Sequence, residues 1–140
     1  MIYTWGLVAR ILGFIICPYA IWRGRNVERL GAMIYLVSWL LSRLSQRAED
    51  QGPAVFVIDV VVFVLYAWLS LRERKIWVLV AAAFQLNTVL SHIIWWLFPQ
   101  VGQVAYVTAL GIFGGYGLLF AILAGTISVE IDRWREKHKK

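Results

Sequence analysis

The chain has 140 residues, 61% of them hydrophobic and 16% charged, with a formal net charge of +6 from 14 Lys and Arg against 8 Asp and Glu. Soluble domains sit nearer half apolar with about a quarter charged, so the composition excludes an ordinary soluble domain. A mean hydropathy of +0.69 and about 85 apolar residues, at roughly 20 per crossing, supply four or five transmembrane helices and leave no room for a soluble catalytic domain.

Five apolar runs follow one another: Ile2 to Trp22, Val27 to Leu44, Ala54 to Leu71, Ile76 to Phe98 and Val104 to Val129. At about 1.5 Å per residue each is long enough to cross a hydrocarbon core as a helix. A transmembrane barrel would alternate apolar and polar residues, whereas Val60 to Leu65 alternate nothing. The first run has no basic residue ahead of Arg10 and no small-x-small cleavage site, so it is read as a retained helix and not as a cleaved signal. Cys17 lies within it as the single cysteine, which excludes an intramolecular disulfide. Ser38, Ser42 and Arg43 dilute the second run, whose flank from Ser45 to Gln51 looks like a helix running into water, and Pro53 then starts the third. The organisation expected is an all-α integral membrane bundle of five helices over residues 1–129, followed by a short basic tail, 130–140, lying along the membrane surface with Trp134 dipping in.

Loop charge orients this bundle. With the N-terminus outside, the cytoplasmic segments hold Arg23, Arg25, Arg29, Arg72, Arg74, Lys75, Arg133, Arg135, Lys137, Lys139 and Lys140, eleven cations, against only Arg43 and Arg47 outside. The positive-inside rule therefore gives an outer N-terminus and a cytoplasmic C-terminus. An inner (plasma) membrane of bacterial type is the location expected. Tyr3, Trp5, Trp22, Trp77, Trp95, Trp96 and Trp134 fall near run ends, where aromatic rings anchor at the headgroup level.

The residues that a lipid-facing helix would not choose are Arg10, Asp59 and His92, because an ionisable group within an apolar run is costly unless it turns inward and finds a partner. Counted from the outer run ends, all three lie roughly 8 to 12 Å below the boundary. The expectation is that Arg10 pairs with Asp59 inside the bundle and that His92 hydrogen-bonds to one of them, as a structural ion pair or as a proton relay. On the fourth run Gln85, Thr88, His92, Trp95 and Pro99 share one helical face, with Asn87 and Ser91 on a neighbouring one; such a stripe is expected to turn inward or toward another subunit. Asp59, Phe63, Tyr66 and Ser70 share a face of the third run, so that Tyr66 would extend the polar seam. In the fifth run Gly111 and Gly115 form a G-x-x-x-G, continued by Gly117, Ala121 and Gly125 as a helix-packing face.

The two histidines and one cysteine are too widely separated to compose a metal site, and no cofactor is expected. No nucleophile or metalloprotease motif is present, which argues against an enzyme. Nucleic acid is not an expected partner, since the eight Trp lie mainly in or beside apolar runs rather than on a basic face. The expected partners are the lipid bilayer and a homo-oligomer or larger membrane complex, with the chain serving as an interaction or assembly subunit. The alternatives are a small transporter or channel built on Arg10, Asp59 and His92, and a phage-type, holin-like membrane permeabiliser.

Overall fold

The computed structural model describes residues 2–45, 53–98 and 100–139, with side chains from residue 6 onward. It is all-helical. Helix α1 is Ile2–Arg23, α2 Asn26–Ser45, α3 Pro53–Glu73 and α4 Ile76–Leu97; α5, Gln103–Leu110, runs through a π-helical segment, Gly111–Gly117, into α6, Leu118–His138. The last three form one continuous rod of 36 residues, so the bundle has five rods. Four of these are long and apolar enough to cross a membrane; α2, with its serines and arginines, is the exception. Helical structure extends past Val129 to His138, so residues 130–138 continue the last helix as its closing turns.

Local chemistry sets the turns. Gly24 joins α1 to α2 where a Cβ would stand 2.3 Å from the Ala20 carbonyl oxygen and 2.6 Å from Glu28 Cβ, so only glycine fits. The backbone N–H of Arg25 donates to Glu28 Oε2 (3.1 Å), the reciprocal half of a capping box that starts α2. Between α3 and α4, Arg74 takes φ 52°, and its N–H donates to the Ser70 carbonyl (3.0 Å), closing α3 with a left-handed cap usually left to glycine.

The rods close into a ring in which α1 packs on α2, α2 on α3, α3 on α4, and α6 on both α4 and α1. Small residues lie where backbones approach: Ala20, Ala32, Ala81 and Ala121 are buried, with Tyr66, Leu118, Leu119 and Ile122 filling the centre. The outward faces are apolar, carrying Phe14, Val57, Leu79 and Phe120, while Glu28, Gln85, Thr88, His92 and Thr126 are inside. An apolar exterior around an apolar core that encloses a few polar groups departs from the distribution of a water-soluble bundle.

Packing along the last rod divides the glycine face expected from sequence. Gly111 and Gly115 have nothing within 4 Å of an added Cβ, whereas a Cβ on Gly114 would meet Thr88, one on Gly117 would meet Phe84, and one on Gly125 would meet the Trp77 ring. A step of four assumes 3.6 residues per turn, and the π segment widens that turn between 111 and 117. Gly117, Ala121 and Gly125 remain on the packed face and are buried.

Candidate functional site

Asp59 on α3 faces α4 and is clasped there by two side chains seven residues apart. Gln85 Nε2 donates to Asp59 Oδ1 (3.0 Å) and to the Asp59 carbonyl (3.2 Å), and His92 Nε2 stands 2.8 Å from Oδ2. Two helical turns separate Gln85 from His92, so one carboxylate between them engages both. On the far side of the imidazole, Tyr106 of α5 places its hydroxyl 2.6 Å from His92 Nδ1. The result is an unbroken hydrogen-bonded chain, Gln85 to Asp59 to His92 to Tyr106, drawn from three helices.

The chain is enclosed. His92 is 0% exposed, Gln85 1% and Tyr106 5%, and the Asp59 side chain, at 17%, is the member that reaches the surface. Aromatic rings wall the imidazole: Phe56 edge-on at 5.7 Å between centroids, Trp96 at 6.5 Å and Tyr106 at 5.5 Å, while Trp95 stacks on Tyr106 at 4.9 Å. In such a setting each hydrogen bond is stronger than in water, and each unpaired polar atom costs more. Gln85 Oε1 is buried without a hydrogen-bond partner and is the open acceptor of the network.

Chemically, the arrangement holds a proton in two ways. With Nε2–H donating to Asp59, a neutral His92 accepts the Tyr106 hydroxyl at Nδ1 and both ring nitrogens are satisfied. With a proton added, both nitrogens donate, the bond to Tyr106 reverses, and the imidazolium faces the Asp59 carboxylate. The titratable neighbours contacting His92 are Asp59 from α3 and Tyr106 from α5.

Arg10 takes no part. Its expected pairing with Asp59 is not made: the residue is exposed on α1 and has no ion pair among the described residues. Its guanidinium reaches back one turn, with one nitrogen 4.0 Å from where a Cβ on Gly6 would stand. Helical side chains lean toward the N-terminus, and here the glycine leaves room for a snorkelling cation. Tyr66, expected to lengthen the seam, donates instead to the Gly31 carbonyl of α2 (2.8 Å). Thr88 is buried and donates to the Phe84 carbonyl (3.1 Å). Asn87 faces outward and Ser91 is half-buried; each satisfies itself on its own helix, Asn87 on the Ala83 carbonyl (2.9 Å) and Ser91 on the Asn87 carbonyl (2.8 Å). Pro99 lies outside the described residues.

Sequence reasoning missed Tyr106 and a second buried group, Glu28. The Glu28 carboxylate is fully enclosed near the opposite end of the bundle, where Lys75 Nζ (2.7 Å) and Trp77 Nε1 (3.0 Å) donate to Oε1. Trp77 is thus no surface anchor; its ring is buried against Gly31 and Gly125. An acidic residue at the start of the second run and a lysine directly before the fourth were the available signals. Nearby, Arg23 grips Glu130 with Nε at 3.0 Å and a terminal nitrogen at 2.8 Å, tying α1 to α6.

Comparison with protein-family models, with curated proteins and with solved structures found no match for this chain.

Proposed function

We propose that this chain is an integral protein of a bacterial-type inner (plasma) membrane, with five helices across the bilayer and an outer N-terminus, and that it works as a small proton-linked transporter or channel. Its working groups in this reading are Asp59, His92 and Tyr106. One observation carries it: a carboxylate, an imidazole and a phenol joined end to end inside an apolar bundle, with the carboxylate at the rim. Ionisable groups in membrane helices mark proton and ion paths because a purely structural role is met more cheaply by apolar packing. Proton exchange through Asp59 and reversal of the Tyr106 bond supply a two-state element between α4 and α5.

Proton entry into proteoliposomes, driven by a potassium diffusion potential and read by an entrapped pH dye, tests this. Wild-type vesicles should acidify faster than protein-free ones, Asp59→Asn and His92→Gln should not, and Arg10→Gln should behave as wild type. The double variant Asp59→Leu with His92→Leu separates relay from scaffold: it should remain folded, as replaced buried ion pairs often do, and yet lose flux. Equal flux in wild type and Asp59→Asn would sink the reading.

A second reading, the assembly subunit, is favoured by Gly111 and Gly115, where nothing stands within 4 Å of an added Cβ. Open glycines allow another helix to approach closely. Gly115→Leu should then reduce the native mass in mild detergent; an unchanged mass removes this reading and leaves the first intact.

A further inference from the structure

At the basic end of the bundle, the two tight turns and α6 border an open polar cleft of about 490 Å³ lined by Arg25, Asn26, Arg29, Glu73, Lys75 and Arg133. Four of these side chains are cations and one is an anion, but the charges are not equally free. Lys75 is committed to Glu28 (2.7 Å) and Arg133 to Glu130 (3.0 Å). Glu73 is drawn aside by Arg72 (3.5 Å). Arg29 donates through Nε to the neutral Gly24 carbonyl (3.1 Å), so its charge is held in place without being cancelled. Arg25 has only a 3.8 Å approach to the exposed Glu136. Arg29 therefore presents a charge that no carboxylate pairs, fixed by its own hydrogen bond, and Arg25 one that is held only by a long, exposed contact.

We infer that this cleft binds a phosphate-bearing anion, with Arg25 and Arg29 as its ligands and Lys75 and Arg133 as lining cations. Guanidinium matches phosphate oxygens in pairs, and the cleft has space for a phosphate with an attached polyol. Such a phosphate belongs either to an anionic phospholipid of the facing leaflet or to a soluble phosphate compound; the recognition chemistry is shared.

The full chain in a neutral detergent, titrated calorimetrically with glycerol 3-phosphate, forms one arm of the test. The other is native mass spectrometry of phosphatidylglycerol retained from phosphatidylcholine nanodiscs doped with that lipid. Binding is expected in at least one arm: the first alone assigns a soluble ligand, the second alone a lipid headgroup, and binding in both a site that accepts either. In the arm that binds, Arg25→Gln and Arg29→Gln should each weaken affinity about fivefold, the worth of one basic residue at an anionic surface, and Arg29→Lys, which keeps the charge without the paired donors, should restore only part of the loss. Should Arg29→Gln fail to fold, Arg25→Gln, on an exposed side chain, decides alone. Absence of binding in both arms overturns the inference. So does an equal loss from Arg135→Gln with Lys137→Gln, exposed cations outside the cleft, because the attraction would then be general surface charge.

Discussion

Glu28 is 0% exposed, whereas Lys75, its partner, keeps 30% of its side chain accessible. That asymmetry sets the consequence of removing either one. Lys75→Met strands a carboxylate that cannot reach water, with only Trp77 and the Arg25 N–H still donating to it, and should cost about 3 kcal/mol or more. Glu28→Gln leaves an ammonium that swings outward on its flexible stem and an amide that still accepts from Trp77, and should cost about 1–2 kcal/mol. Unfolding of both variants in the same detergent checks the order; a larger loss in Glu28→Gln would mean that Lys75 is held by something other than this carboxylate. Neither residue was conspicuous in the sequence. Glu28 stands in the first turn of a helix, where a glutamate ordinarily reads as a partner for the helix dipole, and Lys75 in a turn reads as a topology signal. Asp59 and His92 were legible because each interrupts an apolar run at a common depth. Arg10 shared that depth and yet not the site, since spacing along a run fixes depth and leaves the direction in which a side chain leaves its helix to packing. Tyr106 was hidden for a related reason: a tyrosine one turn inside a run resembles an interfacial anchor until the imidazole it meets is known.

At the level of elements, the rod from Gln103 to His138 shows why helix existence was legible and helix register was not. Its length and apolarity follow from composition, but the face that packs depends on the π segment, which no period of 3.6 anticipates. Glycines at 114, 117 and 125 sit under Thr88, Phe84 and Trp77, whereas those at 111 and 115 are open. Gly117→Ala would bring a methyl 2.7 Å from the Phe84 ring, and Gly125→Ala the same distance from Trp77. Neither contact is with the free end of a flexible chain, so each substitution should destabilise by about 1–3 kcal/mol, the usual cost of overpacking. Gly111→Ala and Gly115→Ala should be neutral or stabilising by about 0.5–1 kcal/mol through helix propensity alone. Thermal unfolding of the four variants tests the register directly; a penalty at 115 equal to that at 117 would mean that a helix packs on that face as well.

For the whole molecule, the difficulty lies in α2. By apolarity four rods qualify to cross a membrane and α2 does not, which would put both termini on one side. Packing argues otherwise. Its 20 residues make a rod of about 30 Å, the thickness of a hydrocarbon core, and it lies in the ring between α1 and α3, both of which qualify. A helix flanked in this way is expected to share their layer, and it places Glu28 on Lys75, the Gly31 carbonyl on Tyr66 and the Ser38 hydroxyl on the Tyr35 carbonyl at 2.8 Å, leaving Arg29 and Arg43 exposed near its two ends. Five crossings would put the termini on opposite sides, with the turn before α5 at the same side as the N-terminus. Gly102 has nothing within 4 Å of an added Cβ, and Lys139 follows the last helix, so each accepts a cysteine; Cys17, fully buried, provides a silent background. In intact cells a membrane-impermeant maleimide should label Gly102→Cys at once and Lys139→Cys only after permeabilisation. The reverse pattern would invert the charge-based direction of the last rod. Trp22→Cys, exposed at the end of α1, counts the crossings: with α2 across the bilayer it should label together with Lys139→Cys after permeabilisation, and labelling of only one of the two from outside would return α2 to the surface.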